Sequence, residues 1–246
     1  MHKNTTTLGI IPARFASTRF PGKPLTMIAG KTMISRVYEQ VHQANLDAVV
    51  VATDDERIRR HVEDFGGRAV MTSAAHASGT DRCAEVASLP AFSGFEIVVN
   101  IQGDEPFIRP SQIVQVADVL LKDESLPIAT LAKKIEVPDV IFDPHTVKVV
   151  FDKNYRALYF SRSPLPFVRD SDKAEWPSVA PFFKHLGLYA FRRKTLLAVS
   201  ALPPGLLERA ESLEQLRWLE NGFPIGIALT EYDSKGIDTP EDIVGF

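Results

Sequence analysis

The sequence holds one cysteine, Cys83, in 246 residues. No disulfide can form within the chain, which excludes the stapled secreted scaffolds and suits a reducing compartment. A surplus of charge is also missing. Lys and Arg number 28 against 31 Asp and Glu, for a net charge of −3. A surface so balanced does not as a whole draw nucleic acid or an anionic membrane. No apolar run approaches the ~20 residues that a spanning helix needs. The start "MHKNTTT" is polar, with no basic segment ahead of an apolar one, so no signal peptide is expected. Internal repeats and low-complexity tracts are absent. Two nucleotide-binding signatures are missing too. Pro24 follows Lys23 where a Walker A loop needs Ser or Thr, and no G-x-G-x-x-G occurs. The P-loop ATPases and the dinucleotide-binding dehydrogenases thereby lose their main support. A cytoplasmic protein with no nucleic-acid and no membrane partner is the expectation.

The hydrophobic share is 45%, enough for a full core in one α/β domain or two small ones. In the first half, strand patterns alternate with helix patterns. "LGIIPA", "AVVVAT", "RAVMT" and "FEIVVNIQGD" read as strands. "AVVVAT" is a continuous apolar run, as expected of a parallel strand buried on both faces. Between them, "TMISRVYEQVHQAN" sets Met33, Ile34, Val37, Tyr38 and Val41 on one helical face. "DDERIRRHVEDFGG", "TDRCAEVASL" and "PSQIVQVADVLLKD" are further helices, with Thr80 or Asp81 expected as the N-cap of the second of these. This alternation predicts an α/β fold, a mostly parallel sheet with flanking helices.

After Asp123 the rhythm changes. "PIATLAKKI", "TVKVVFD" and "ALYFSR" read as strands with no helices between. A loop rich in proline and charge follows over 163–181, then a strand "HLGLYAF". One long amphipathic helix is expected over "LLERAESLEQLRWLENG", ended by Gly222, then a strand "PIGIALTEYD" and a short closing helix in "IDTPEDIVGF". We therefore expect a single domain over 1–246 with an inserted, smaller antiparallel part. Residues 1–125 form most of the nucleotide core, 126–222 the inserted part, and 223–246 return to the core.

The stretch "RFASTRFPGKPL" after the first strand is basic and stiff. Ligands of open α/β sheets bind at the carboxyl ends of strands, where this loop sits. Its guanidinium and ammonium groups suit phosphate. Pro21 and Pro24 limit the freedom lost on binding. A solvated basic loop is the competing reading. "NIQGDEP" brings Asp104 to the same sheet edge, and "GIDTPED" brings Asp238. Singly, Asp104 fits a turn and Asp238 a helix N-cap. Beside a basic loop, two carboxylates fit Mg²⁺, which takes one or two carboxylates plus phosphate oxygens. "VATDD" and "HASGTDR" end strands in the same way. Each is either a capped helix start or a close approach to a base or ribose.

These strings occur in the order "IIPARFASTRFPGKPL", "VATDDERI", "HASGTDR", "VVNIQGDEPFI", "ALYFSRSPLP", "HLGLYAFR", "AESLEQLRWLENG" and "GIDTPEDI". In that order the chain closely resembles the 3-deoxy-manno-octulosonate (Kdo) cytidylyltransferases, the CMP-Kdo synthetases, from about Leu8 to Ile243. Phe20 and "HLGLYAF" depart from the commonest family pattern without removing a functional group. The resemblance implies a nucleotide-diphospho-sugar transferase-like fold, a homodimer with contacts near 159–166, and CTP and Kdo as substrates with Mg²⁺. It implies that Arg14 and Lys23 hold the triphosphate, and that Asp104 and Asp238 bind metal. Arg14, Lys23, Asp104 and Asp238 are then the catalytic set. Ala13, Ser78, Gly79, Arg82 and Gln102 would surround the nucleotide, Gln102 also meeting the sugar acid. Arg162 would clamp the sugar carboxylate, with His185, Tyr189, Glu214 and Gln215 binding the rest.

Two other outcomes stay open on sequence. One is the same chemistry on 8-amino-Kdo or another sugar acid, with the loop 167–183 setting the choice. The other is a CTP-binding module without chemistry, against which the presence of both Asp104 and Asp238 argues.

Overall fold

A computed structural model describes residues 5–16, 20–233 and 236–243. Of the sequence expectations, Ser17, Thr18 and Arg19 of the basic loop and the last three residues of the closing helix lie outside them.

The first half folds as its periodicity dictates. The strands β1 (Thr7–Ala13), β4 (Ala48–Thr53), β5 (Ala69–Met71) and β6 (Ile97–Asn100) are parallel neighbours. A two-residue pair, β2 (Met27–Ile28) and β3 (Lys31–Thr32), precedes the first helix. That helix, α1 (Met33–Gln43), buries Met33, Ile34, Val37 and Val41, and Thr32 caps it. The helix α2 (Glu56–Asp64) starts at an Asp55 cap and buries Ile58 and Val62. The helices α3 (Gly79–Ser88) and α4 (Pro110–Lys122) complete the crossovers. Two cores result. Ile11, Val51, Val99 and Leu131 face α1, α2 and α4 on one side of the sheet; Leu8, Ile10, Val50 and Val98 face α3 on the other.

The second half adds β7 (Ile128–Lys134), α5 (Pro138–Phe142), β8 (Lys148–Phe151), β9 (Ala157–Ser161), α6 (Trp176–Val179) and β10 (Phe183–Arg192). The helices α7 (Arg193–Ser200), α8 (Leu206–Glu211) and α9 (Glu214–Glu220) and the strand β11 (Ile225–Leu229) follow. The sheet order is β11-β7-β10-β6-β1-β4-β5, with β8 pairing β10 and β9. Along that order only β10 runs against the rest. The antiparallel part is therefore continuous with the central sheet through β10.

Three expectations need correction. The strands after Asp123 are not free of helices: α5, with Pro138 at its first position, stands between β7 and β8. The long helix over "LLERAESLEQLRWLENG" is two helices, α8 and α9. Ser212 adopts the left-handed region at φ 53°, which no α-helix accommodates. The Arg162 guanidinium holds the break, with Nε donating to the Glu211 carbonyl at 2.7 Å and an Nη to the Ser212 carbonyl at 3.4 Å. The cap of α3 is Ser78, with neither Thr80 nor Asp81 in that place. Ser78 Oγ accepts from the Asp81 N–H at 3.1 Å and Asp81 Oδ2 from the Ser78 N–H at 3.1 Å. A capping box needs its hydroxyl three residues before the acid, and Ser78 is the residue so placed.

The order of β6, β1 and β4 locates the ligand crevice. From β1 the chain winds outward through β4 and β5, then returns to β6 on the other side of β1. A crevice outside the carboxyl ends of β1 and β6 follows from that reversal. β6 pairs with β1 only as far as Ile10, so Pro12, which lacks an N–H, sits where the ladder opens.

Candidate active site

The loop after β1 is shaped before its charges are. The Gly22 N–H donates to the Phe15 carbonyl at 3.0 Å, with Gly22 at φ 72°. A β-carbon there would be strained by its φ and would press on the Phe15 ring at 3.2 Å. A single 3₁₀ turn, Lys23–Leu25, follows, with Pro24 inside it. The turn sends the Lys23 side chain, 12% exposed, back into the crevice. Its Nζ donates to Asp104 Oδ2 at 2.7 Å and lies 3.5 Å from Asp238 Oδ1.

Asp104 reaches that point because the chain beyond β6 hugs β1. A β-carbon on Gly103 would stand 2.6 Å from the Pro12 carbonyl oxygen. Asp238 is brought in by pairing of the last segment, the Ile237 N–H donating to the Asp104 carbonyl at 2.9 Å. Asp242, within the closing turn Pro240–Ile243, ties down the segment that precedes it. Its Oδ2 accepts from the N–H groups of Asp238 and Thr239 at 2.9 and 3.0 Å.

One cleft is lined by Ala13, Arg14, Lys23, Ser78, Gly79, Arg82, Gln102, Asp104 and Asp238. Every residue expected at the nucleotide is therefore in one place. Gly79, first residue of α3, lies close under Pro12, where a β-carbon would be 3.2 Å from its ring. Arg82 is less available than its charge suggests. It is 3% exposed, and its guanidinium donates to Asp54 Oδ2 at 2.9 Å and Thr72 Oγ1 at 2.5 Å. Asp54, in "VATDD", thus anchors Arg82 while Asp55 caps α2. His76 also lines the cleft, a residue the sequence reading passed over. Its Nε2 bonds Glu85, which also accepts from the Ser73 N–H at 2.8 Å. The signal was a histidine nine residues before an acid, across a loop and nearly two turns of α3.

Of the residues expected at the sugar acid, Gln102, His185, Tyr189 and Glu214 are linked to one another or to the cleft by direct contacts. Gln102 Nε2 donates to the Gly187 carbonyl at 3.1 Å. Gly187 lies where the register of β10 on β7 shifts between Leu186 and Tyr189. The shift keeps His185 and Tyr189 on one face, ring centroids 5.3 Å apart. Thr130 Oγ1 lies 3.0 Å from His185 Nε2 and within reach of the Leu186 and Leu188 carbonyls at 3.0 and 2.8 Å. Thr130 thereby ties the His185 ring to the bulged stretch of β10. Burial pushes the His185 pKa down to about 3, so the ring is neutral.

Glu214 opens α9. Burial raises its carboxyl above the ordinary range; hydrogen bonds from Thr80 and Ser78 and the Arg217 charge pull the other way. Burial also pushes up the Tyr189 hydroxyl, aided by the Glu214 charge. Gln215 is 4% exposed, and its Nε2 has no hydrogen-bond partner among the described residues. A buried donor left without a partner is uncommon and fits a contact that a ligand completes.

Arg162 does not join this group. Its guanidinium donates to three backbone carbonyls, those of Pro144 at 3.0 Å, Glu211 and Ser212. The fork expected for a carboxylate is occupied by the chain itself. Lys148, fully buried, does related work. Its Nζ donates to the carbonyls of Asp143, Thr146 and Arg162 at 2.9, 2.6 and 2.5 Å. Burial lowers the pKa of that ammonium.

The donor set suits magnesium. Two carboxylates meet at one cation, Lys23 Nζ, and no group of three or more His, Cys, Asp or Glu able to hold a metal occurs among the described residues. Mg²⁺ is held by one or two carboxylates with substrate oxygens and water, not by an all-protein cage.

Comparison with known proteins agrees with this geometry. A family model described as cytidylyltransferase matches residues 8–232. A 3-deoxy-manno-octulosonate cytidylyltransferase of Bacteroides thetaiotaomicron is 54% identical over 96% of this chain and 94% of its own. One from Thermodesulfovibrio yellowstonii is 51% identical over 96% and 95%. Among solved structures, a CMP:2-keto-3-deoxy-manno-octonic acid synthetase complexed with CTP superposes with a TM-score of 0.88. It is 43% identical over 96% of this chain and 94% of that one. A 4-diphosphocytidyl-2C-methyl-D-erythritol synthase from Anaerococcus prevotii shares the fold, at a TM-score of 0.62 and 15% identity over 98% and 96% of the two chains.

Proposed function

The chain belongs to the 3-deoxy-manno-octulosonate cytidylyltransferase family, and from that premise we propose that it joins CTP and Kdo to give CMP-Kdo and pyrophosphate, the activated sugar for lipopolysaccharide synthesis. The observation that carries the proposal is the meeting of Lys23, Asp104 and Asp238 in the cleft that Ser78 and Gly79 also line.

In the reaction the anomeric hydroxyl oxygen of Kdo, its proton passing to water, attacks the α-phosphorus of CTP. The bond from that phosphorus to the bridging oxygen breaks, and pyrophosphate leaves with the electron pair. Little covalent work falls to the protein, so positioning and charge carry the rate. Arg14 and Lys23 offset charge on the triphosphate as pyrophosphate departs. Ser78, Gly79 and Ala13 offer close backbone to the nucleotide. Asp104 and Asp238 would hold magnesium, which when bound lowers the pKa of a ligated hydroxyl and neutralises phosphate charge. Gln102, bonded to the β10 bulge, stands between nucleotide and sugar. The His185 ring, Tyr189, Glu214 and the Gln215 amide supply acceptors and donors to a polyhydroxy acid.

The proposal includes a cytoplasmic homodimer. No helix among the described residues is long and apolar enough to cross a membrane. The strand β9 pairs only β8 and exposes Leu158 at 63%, which supports cover by a second copy. Phosphorus NMR of a mixture of protein, CTP, Mg²⁺ and Kdo tests the reaction. Signals of pyrophosphate and of a CMP diester in equal amounts are expected; CTP left unchanged would refute it.

A further inference from the structure

Lys23 contacts both carboxylates of the proposed metal site. Its Nζ is 2.7 Å from Asp104 Oδ2 and 3.5 Å from Asp238 Oδ1. The contact is built in. Lys23 lies in a one-turn helix with Pro24, entered through the left-handed Gly22, and only 12% of its side chain is exposed. The two acids are held as firmly. The Ile237 N–H donates to the Asp104 carbonyl, and Asp242 bonds the N–H of Asp238.

A divalent ion brought to the same two carboxylates would sit within a few ångströms of an ammonium. Like charges at that range repel strongly wherever water is partly excluded. The carboxylate lone pairs turned to Nζ are also those the ion needs. We propose that Lys23 is an internal counter-ion that competes with the divalent cation for Asp104 and Asp238. The triphosphate resolves the competition by giving the ammonium another anion. Metal and nucleotide binding are then positively coupled, and the coupling runs through one side chain. This inference rests on the reading of the site given above and adds an order of events to it: the metal binds well only once phosphate has drawn Lys23 away. The coupling is reciprocal, because it is a free energy shared by the two ligands.

The test has two arms. In the first, free Mn²⁺ is measured by electron paramagnetic resonance against the full chain, Lys23→Met and Lys23→Arg, without nucleotide. Lys23→Met should bind Mn²⁺ more tightly than the natural chain by about tenfold, the equivalent of removing ~1.4 kcal/mol of repulsion. Lys23→Arg, which keeps the charge, should stay close to the natural chain. Circular dichroism establishes that each variant is folded, and Lys23→Ala replaces Lys23→Met if the latter is not. In the second arm, calorimetry follows CTP binding to the natural chain with and without Mg²⁺. CTP should bind more tightly with Mg²⁺. If Lys23→Met binds Mn²⁺ no more tightly while CTP and Mg²⁺ still bind together, the competition is refuted and the site reading survives. If CTP fails to bind at all, the site reading falls and takes this inference with it.

Discussion

Thr80 Oγ1 donates to Glu214 Oε2 at 2.7 Å, joining the first turns of α3 and α9 across 134 residues of sequence. α3 begins at the cleft that Lys23, Asp104 and Asp238 line, and α9 opens with Glu214, whose charge acts on Tyr189. The bond therefore fixes the proposed sugar-binding residues on α9 relative to the proposed nucleotide cleft. Ser78 makes it possible by taking the cap of α3 and leaving the Thr80 hydroxyl for Glu214.

Glu214→Gln keeps the shape and removes the charge. It should raise the KM for Kdo by roughly tenfold, about the worth of one hydrogen bond to a charged group, and the KM for CTP far less. Steady-state kinetics with each substrate varied checks this. An equal rise for both would put Glu214 at the nucleotide.

Arg162→Ala should act on the fold. Its guanidinium closes the Ser212 break and ties in Pro144, so losing it should lower stability by ~1–2 kcal/mol in denaturant melts. The effect on KM for Kdo should be matched by variants elsewhere in the same knot, such as Lys148→Met. A large, Kdo-specific KM change with unaltered stability would restore Arg162 as a carboxylate clamp.

Two groups predict pH dependence of opposite sign. His185 has its pKa pushed down to about 3 from 6.5. Below pH 6.5 the unfolded chain takes up a proton there that the folded chain refuses, so stability is lost as pH falls from 6.5 towards 3. Glu214 has its pKa raised from 4.5. The folded chain then holds its proton longer than the unfolded one, so its penalty develops as pH rises above 4.5 and is complete once the folded group has ionised. Urea melts should show His185→Asn to be less acid-sensitive than the natural chain over pH 4–6.5. Against the same reference, Glu214→Gln should gain stability from pH 4.5 upward. Heteronuclear NMR should find the His185 ring neutral at pH 5.

Asp104→Asn should leave the fold intact and lower turnover by ~10³-fold, because a carboxylate of the proposed metal site is neutralised. Rapid-quench measurement at saturating substrates and Mg²⁺ checks it. Near-normal turnover would remove Asp104 from the proposed metal site.

What the sequence made legible follows from local physics. Apolar periodicity located the alternating strands and helices of the first half, because each element buries one face or two. The strand ends collected Arg14, Lys23, Ser78, Gly79, Gln102 and Asp104, since a parallel sheet puts its loops on one edge, and Asp238 arrived by the same rule. What stayed hidden depends on long-range partners. The break at Ser212 interrupts a sound amphipathic pattern, and only the Arg162 contacts, some 50 residues away, hold it. Arg162 looked like a ligand clamp because its chemistry suits a carboxylate; the backbone carbonyls that occupy it leave no trace in composition. His76 was passed over because its partner Glu85 lies on the next helix. The shift at Gly187, whose carbonyl takes the Gln102 amide, has only a glycine to announce it.

Pyrophosphate release with CTP and Mg²⁺, run in parallel with Kdo, 8-amino-Kdo and N-acetylneuraminate, tests the central claim most directly. Release with Kdo, abolished in Asp104→Asn, is the predicted result. No release with Kdo under conditions where CTP binds would contradict it.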